Sequence, residues 1–227
     1  MRNVLPHLHL RNLAFVVYAL LLAAPHLGAQ ETSGAQETND IPPDQVRTAP
    51  EQRPTLLLYS QHRLPEELWA ALFTALRANL PEIAAKVPAN EANPEFVRGD
   101  NPANGDLAGK TITVYLSGDC RPSAQRAPFP WRARLGWVNQ VNGYIVPIIH
   151  VECTKIGEGI SGQTQWMNRN QRTTAMSEAI AQVVLHEWVH VATQSAAHGS
   201  EGVTKAEFGV DDMLCGDRTR SCGLALR

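Results

Sequence analysis

The sequence predicts an α+β fold, and three observations support this. Short apolar or alternating segments typical of strands occur at residues 55–60, 111–116 and 134–151. Two longer segments, 65–80 and 173–194, place their apolar residues at helical spacing. Hydrophobic residues make up 44% of the 227, and the formal net charge is −2, which excludes a wholly disordered chain. The order strand, helix, strand, hairpin, helix indicates helices layered on a sheet.

The first strand and helix are predicted directly after residue 54. Residues 55–60 form a nearly continuous apolar run, which is consistent with a buried strand. Pro65 then occupies a position typical of a helix's first turn, and two glutamates follow it near the positive end of the helix dipole. Prolines and glycines at 88–110 predict a long surface loop before the next strand, at 111–116.

A hairpin is predicted from strands at 134–141 and 144–151. The dipeptide Asn142-Gly143 between them is a strong hairpin-turn signal. Pro147 lies inside the second strand, and proline in a sheet is nearly confined to edges and bulges. We therefore expect residues 144–151 to form an edge strand.

The last long helix is predicted to follow a loop at 157–170, which contains glycine and asparagine. Thr173 or Thr174 is the expected N-cap, and from there the chain continues to about Gln194 without proline or glycine. The segment after residue 198 has no clear periodicity.

The N-terminal 29 residues have the pattern of a secretory signal peptide. Arg2 and Arg11 precede an apolar run of 12 residues at 13–24, and a small-residue site ends at Ala29. The run is short for a membrane span, although an uncleaved anchor is the alternative. We expect cleavage after Ala29 and a secreted or periplasmic protein without stable membrane association.

Residues 30–54 are expected to be a flexible linker because they contain almost no large apolar side chains. A pro-segment is the functional alternative. The chain carries no block of like charge, so a nucleic-acid partner is not expected.

Four cysteines are too few for a disulfide-dense small fold. Cys120 and Cys153 each follow a predicted strand, so we expect them to pair, and Cys215 to pair with Cys222. A cysteine metal site is the alternative, but the chain has no C-x-x-C pair.

The chemistry-bearing motif is His186-Glu187-Trp188-Val189-His190, inside the last predicted helix. Residues four apart lie on the same helix face, so both imidazoles can converge on one Zn²⁺. Glu187 can then reach the water at the metal as a general base without being a ligand. The alternative is a helix with two ordinary histidines and no metal.

A catalytic zinc usually has three protein ligands. His198 is the best candidate for the third, because it lies just beyond the expected helix end and a turn could return it to the metal. Glu207, Asp211 and Asp212 are the rival ligands.

The motif with His198 resembles the zincin peptidases, and in particular the metzincins, in which a third histidine follows the helix. Metzincins place that histidine six residues after the second, with a glycine between them. Here the spacing is eight, and Gln194 stands near the expected glycine.

The chain is also similar to small secreted bacterial zincin-like proteins with H-E-x-x-H, seven residues, H, then a small or polar stretch and G-I-M. Residues 198–204 follow that pattern, except that Thr204 replaces the methionine; Met213 is the other candidate for a methionine below the metal. The similarity covers about 110–214 and rests mainly on 186–204.

The resemblance implies that residues 55–227 form a zincin-like metallopeptidase domain. Its mixed sheet would pack on the active-site helix, with residues 65–80 as a second helix, and a protein or peptide substrate would pair with the edge strand. Tyr144, His150 and Arg172 are conceivable helpers in catalysis.

The predicted function is therefore that of a secreted zinc peptidase with Glu187 as general base. Two alternatives stay open: a non-catalytic zincin-fold binding module, and a zinc hydrolase with another substrate.

Overall fold

The computed structural model describes residues 53–101, 109–122, 133–199, 204, 206–207 and 209–215. The expected signal peptide at 1–29, and the expected linker except for its last two residues, lie outside this part of the chain. Within it, none of the helices combines the length and the apolar character needed to cross a bilayer.

The described part is a mixed α+β structure, as predicted. Its elements are, in chain order, β1 (Thr55–Ser60), α1 (Glu66–Ala84), β2 (Glu95–Arg98), β3 (Thr111–Ser117), β4 (Gly136–Val141), β5 (Tyr144–Glu152), α2 (Cys153–Thr164), α3 (Arg169–Thr193) and α4 (Val210–Cys215).

The five strands form one mixed sheet in the order β2-β1-β3-β5-β4. β2, β1, β3 and β5 are parallel to one another, and β4 alone runs antiparallel, against β5. Because parallel strands need crossover connections, α1 links β1 to the β2 side of the sheet, whereas β4 and β5 need only a tight turn.

One face of the sheet is apolar and fully buried. Leu58, Val114 and Ile149 are direct neighbours across β1, β3 and β5, and each is 0% exposed. These residues join the buried residues of α1 and α3 in one hydrophobic cluster. A polar link within this packing joins the two helices, since the buried Asn79 amide donates to Glu178 Oε1 at 2.7 Å.

The opposite face carries a row of aromatic rings, one from each of four adjacent strands. Tyr59, Tyr115, His150 and Trp137 are direct cross-strand neighbours in the order β1, β3, β5, β4. Their ring centroids lie 5.7, 5.8 and 4.8 Å apart in that order, and the rings are stacked. Such cross-strand pairs stabilise a sheet.

The predicted hairpin is confirmed, but the predicted edge strand is wrong. Asn142 and Gly143 both have positive φ (52° and 82°), as a type I′ turn requires. β5, however, lies between β3 and β4, and β4 is an edge strand. Pro147 is tolerated inside the sheet because the β4–β5 register is irregular opposite it and the pairing with β3 starts only at Ile148.

Two predicted loops contain regular structure. The expected loop at 88–110 includes the short strand β2, which adds to the outer side of β1. The expected loop at 157–170 is largely helix, because α2 begins immediately after β5 and buries Ile156 and Ile160. Its glycines weakened the sequence signal for a helix, and burial of these two isoleucines outweighs that preference.

Helix α3 begins earlier than predicted, at Arg169, and its N-cap is Asn168 instead of Thr173 or Thr174. Asn168 Oδ1 accepts from the Gln171 backbone N–H at 3.0 Å, and Gln171 Oε1 accepts from the Asn168 backbone N–H at 2.9 Å. This reciprocal pair is a capping box.

The predicted disulfide Cys120–Cys153 is present. It ties the chain after β3 to the first residue of α2. The predicted pairing of Cys215 with Cys222 lies outside the described residues, since Cys222 is not among them.

Replacement of the helix cap tests the corrected start of α3. Asn168→Ala should lower the free energy of unfolding by about 1 kcal/mol, because the first turn loses its side-chain acceptor, whereas Asn168→Asp should keep it. Urea denaturation measures the difference. Thr174→Ala is the matched control and should cost nothing, since Thr174 lies inside the helix; a larger loss at Thr174 would restore the original N-cap prediction.

Candidate metal centre

The predicted motif His186–His190 lies in the C-terminal half of α3, inside the protein. His186, Glu187 and His190 are only 6–7% exposed, although each has an ionisable side chain. Between Ala175 and Ala192 every helix residue except Glu178 is buried, which leaves these side chains little freedom to turn away. A polar group buried in this way needs a partner, such as a hydrogen bond or a metal.

The two motif histidines converge as their spacing predicts. Nε2 of His186 and Nε2 of His190 lie 3.2 Å apart, and the rings meet edge to face. Two nitrogen ligands at tetrahedral angles on one zinc ion would lie about 3.3 Å apart, given Zn–N distances of about 2.0–2.1 Å. The spacing of this pair therefore fits a shared zinc ion.

His198 completes the cluster. Its ring centroid lies 5.3 Å from that of His186 and 4.8 Å from that of His190. One ring nitrogen from each of the three histidines falls within 4.8 Å of the others, so the three lie close enough to hold a metal ion. Burial, followed by the charge of His190, lowers the pKa of His198 and favours the neutral form that binds metals.

The rival carboxylates are not brought to the histidine pair. Among the described residues, the cluster consists of the three histidines, and Glu207, Asp211 and Asp212 do not join it. Asp212 instead accepts a hydrogen bond from the Gly209 backbone N–H at 2.9 Å.

The turn after α3 fixes the orientation of His190. The Nδ1 of His190 lies 2.6 Å from the Ser195 carbonyl oxygen. A carbonyl can only accept, so Nδ1 carries the proton and Nε2 keeps its lone pair for a metal. Outer partners of this kind hold a ligating histidine in its tautomer and ring orientation.

Gln194 sets the direction of that turn. It has left-handed backbone angles (φ 52°, ψ 33°), the conformation in which glycine is usual at this position of a helix end. Its side chain compensates for the unfavourable conformation: Oε1 accepts from the Ile145 N–H at 3.0 Å, and Nε2 donates to the Ile145 carbonyl at 3.1 Å. The glutamine at the expected glycine position is therefore an anchor to strand β5.

Glu187 lies beside the histidine cluster without belonging to it. Its Oε1 is 4.0 Å from Nε2 of His186. Burial raises the pKa of Glu187 to about 7, and the positive charge of Arg134 opposes this shift. A bound cation would oppose it further, because it favours the ionised carboxylate.

Strand β4 passes directly over Glu187 at Gly136. A Cβ atom on Gly136 would lie 3.0 Å from both Cγ and Oε1 of Glu187, and 2.6 Å from Val183. Only glycine fits at this close approach. The sequence placed Gly136 in a strand but gave no signal that the strand crosses the motif.

The cluster opens into a cavity of about 340 Å³. It is lined by Arg134, Gly136, Trp137, Val138, His186, Glu187, His190, Ala196, His198 and Ala206. Arg134 was missed in the sequence, because its distance from the motif is set by strand packing and not by spacing along the chain.

The three side chains predicted as possible helpers lie elsewhere. His150 stacks between Tyr115 and Trp137, and Tyr144 begins β5 at the hairpin turn. Arg172 lines a larger cavity of about 670 Å³ between the N-terminal ends of α1 and α3. That cavity contains none of the three histidines, so its greater volume does not make it the chemical site.

Comparisons of the chain with protein-family models, with curated proteins and with solved structures give no match. The function must therefore be argued from the site itself.

The identity of the third ligand can be tested by substitution. His198→Ala should weaken zinc binding by orders of magnitude, because two histidines make an incomplete site. Glu207→Ala and Asp211→Ala are the controls and should leave the affinity unchanged. Competition with a chromogenic chelator measures the three affinities, and a carboxylate variant that loses zinc would move the site to a carboxylate-ligated class.

Loss of the Gln194 anchor should weaken metal binding indirectly. Gln194→Ala and Gln194→Gly both remove the bonds to Ile145, so both should lower zinc affinity by about 10–100-fold through misplacement of His190. Gln165→Ala, at the end of α2, is the control, since its side chain bonds only a local carbonyl. Unchanged affinity in the glycine variant would show that the backbone conformation alone positions the ligand.

Proposed function

We propose that this protein is a zinc-dependent peptidase in which His186, His190 and His198 hold the metal and Glu187 is the general base. The observation that carries the proposal is the composition of the site: three neutral nitrogen ligands and an adjacent carboxylate that lies outside the ligand set. Three protein ligands with an open position are typical of catalytic zinc, whereas structural zinc usually has four.

When bound, a zinc ion supplies Lewis acidity, which polarises a substrate carbonyl and lets water ionise near neutral pH. The histidine donors suit zinc, although imidazole also suits copper, iron and nickel. The 3.2 Å separation of the two Nε2 atoms supports a tetrahedral ion.

Glu187 has the position and the environment expected of a proton acceptor. It is buried next to the histidines, and burial raises its pKa to about 7, whereas a bound cation would favour the ionised carboxylate, the form that accepts a proton. Gly136 leaves the space beside Glu187 that a larger residue would fill, since a Cβ atom there would lie 3.0 Å from Oε1. The role of Glu187 would be to take a proton during attack on the carbonyl and to pass it to the departing amine.

Strand β4 supports a peptide as the substrate. It is one of the two edge strands of the described sheet, so its outer backbone groups have no strand partner among the described residues. Three cavity-lining residues, Gly136, Trp137 and Val138, belong to it. An extended peptide that added to this edge would pass the histidine cluster.

We also propose that the protein is exported. The N-terminal pattern of Arg2, Arg11 and Ala29 supports this, and the Cys120–Cys153 disulfide is compatible with an oxidising compartment.

The decisive variant is Glu187→Gln, assayed in the zinc-loaded protein. It should lower kcat/KM for peptide cleavage by about 10²–10⁴-fold, because a general base contributes rate of that order. Zinc should stay at one ion per chain, since Glu187 is not in the histidine cluster. Cleavage of a quenched-fluorescence peptide library and elemental analysis measure the two quantities.

Glu158→Gln, on helix α2, is the matched control, because that glutamate pairs only with the exposed Lys155. It should cleave at the original rate. Full zinc occupancy without cleavage of any peptide would favour a binding module, and cleavage that persists in Glu187→Gln would exclude this base.

A further inference from the structure

We propose that Arg134 binds a carboxylate of the substrate and so directs the enzyme to peptides with an acidic residue, or a free C-terminus, next to the bond that is cleaved. This inference rests on the proposed function and adds a substrate class to it. It depends on three features of Arg134: its place in the cavity, the absence of an ion pair with any described acidic residue, and the charge around it.

Arg134 lies in the wall of the histidine cavity. It stands two residues before the edge strand β4 and lines the same 340 Å³ space as Glu187 and His198. The other residues that line this cavity are neutral or acidic, except for the histidines. A substrate that reached the histidines would therefore meet one permanent cation, since arginine is always charged.

Within the described residues, the guanidinium lies against an aromatic ring and forms no ion pair with an acid. Its Cζ lies 5.0 Å from the ring centroid of Trp137, a distance typical of a cation–π contact. Trp137 is itself held by its stack on His150, with centroids 4.8 Å apart. The ring covers one face of the guanidinium and leaves its N–H groups to bind a carboxylate in the plane.

Two other arginines in the described part of the chain form ion pairs with carboxylates. Arg98 bonds both Glu66 and Asp100, at 2.8–3.0 Å, and Arg121 bonds Asp119 at 2.9 Å. Arg134 makes no ion pair of this kind with a described residue. Its positive charge opposes the rise in the pKa of Glu187, so its field reaches the site.

The charge of the loaded site favours an anionic substrate group. Three neutral histidines leave the two positive charges of a zinc ion uncompensated, Glu187 contributes one negative charge, and Arg134 adds one positive charge. A partly enclosed cavity with excess positive charge attracts and orients carboxylates. An arginine binds them in bidentate geometry, which a neutral amide cannot match.

Matched peptides that differ only as Glu or Gln, at each position beside the cleaved bond, test the proposal. We expect the Glu peptide to have about a tenfold higher kcat/KM at one position. Arg134→Gln should reduce this ratio to about one. Arg134→Lys keeps the charge but lacks the planar pair of N–H donors, so it should give an intermediate ratio. Gln peptides with a free or an amidated C-terminus identify the second possible source of the carboxylate.

Arg77→Gln is the matched control, because its guanidinium also lies over a ring, that of Phe73, but on helix α1 away from the cavity. It should leave the ratio unchanged. If the ratio of kcat/KM between the Glu and Gln peptides stays the same in Arg134→Gln, the proposal is overturned. This holds whether the variant cleaves both peptides more slowly or cleaves both at the original rate.

A binding measurement separates this inference from the proposed function. Zinc-loaded Glu187→Gln protein should bind the preferred acidic peptide about tenfold more tightly than its neutral partner in calorimetry, and the added Arg134→Gln change should remove the difference. If the acidic peptide binds more tightly but the unsubstituted protein cleaves no peptide, the proposed peptidase activity is overturned and the carboxylate site is supported. Equal affinities would overturn the carboxylate site alone.

Discussion

The structure depends on helix α3, which places two imidazoles and a carboxylate inside an otherwise apolar interior. Burial of the helix between Ala175 and Ala192 fixes its position against α1 and strands β4 and β5, but the same burial takes two imidazoles and a carboxylate out of water. Such groups are costly unless they are paired. A shared metal ion would satisfy both imidazoles at once, and its charge would favour the ionised form of Glu187. The core thus holds the histidines close enough for one ion, and a bound ion would offset the cost of their burial.

The end of α3 extends this arrangement to the sheet. Gln194 holds the backbone of Ile145 by two hydrogen bonds, and the next residue, Ser195, presents its carbonyl to His190. Two consecutive residues, Gln194 and Ser195, therefore connect strand β5 and His190 to the end of the helix by direct hydrogen bonds. The same turn sends the chain back so that His198 reaches the cluster. A glycine could make the turn, but it could not make the connection to the strand.

Local patterns in the sequence predicted well what depends on local geometry. The convergence of His186 and His190 follows from the helical repeat, and the Asn-Gly turn from its backbone preference. Features that depend on packing between distant parts of the chain could not be predicted from these local patterns. Pro147 suggested an edge strand, yet an irregular register accommodates it inside the sheet. Arg134 and Gly136 meet the motif only through the placement of β4 over α3, which no spacing along the chain encodes.

The row of stacked rings on the far face has an optical consequence. Tyr59, Tyr115, His150 and Trp137 cross four strands and end at the residue on which Arg134 rests. Tyr59, Tyr115 and Trp137 absorb in the near ultraviolet, and their fixed chiral surroundings give them circular dichroism in that range; His150 joins the stack without absorbing there. The native protein therefore carries an intrinsic reporter of sheet assembly, whose last member also borders the histidine cavity. Changes at that wall can be followed spectroscopically without an attached label.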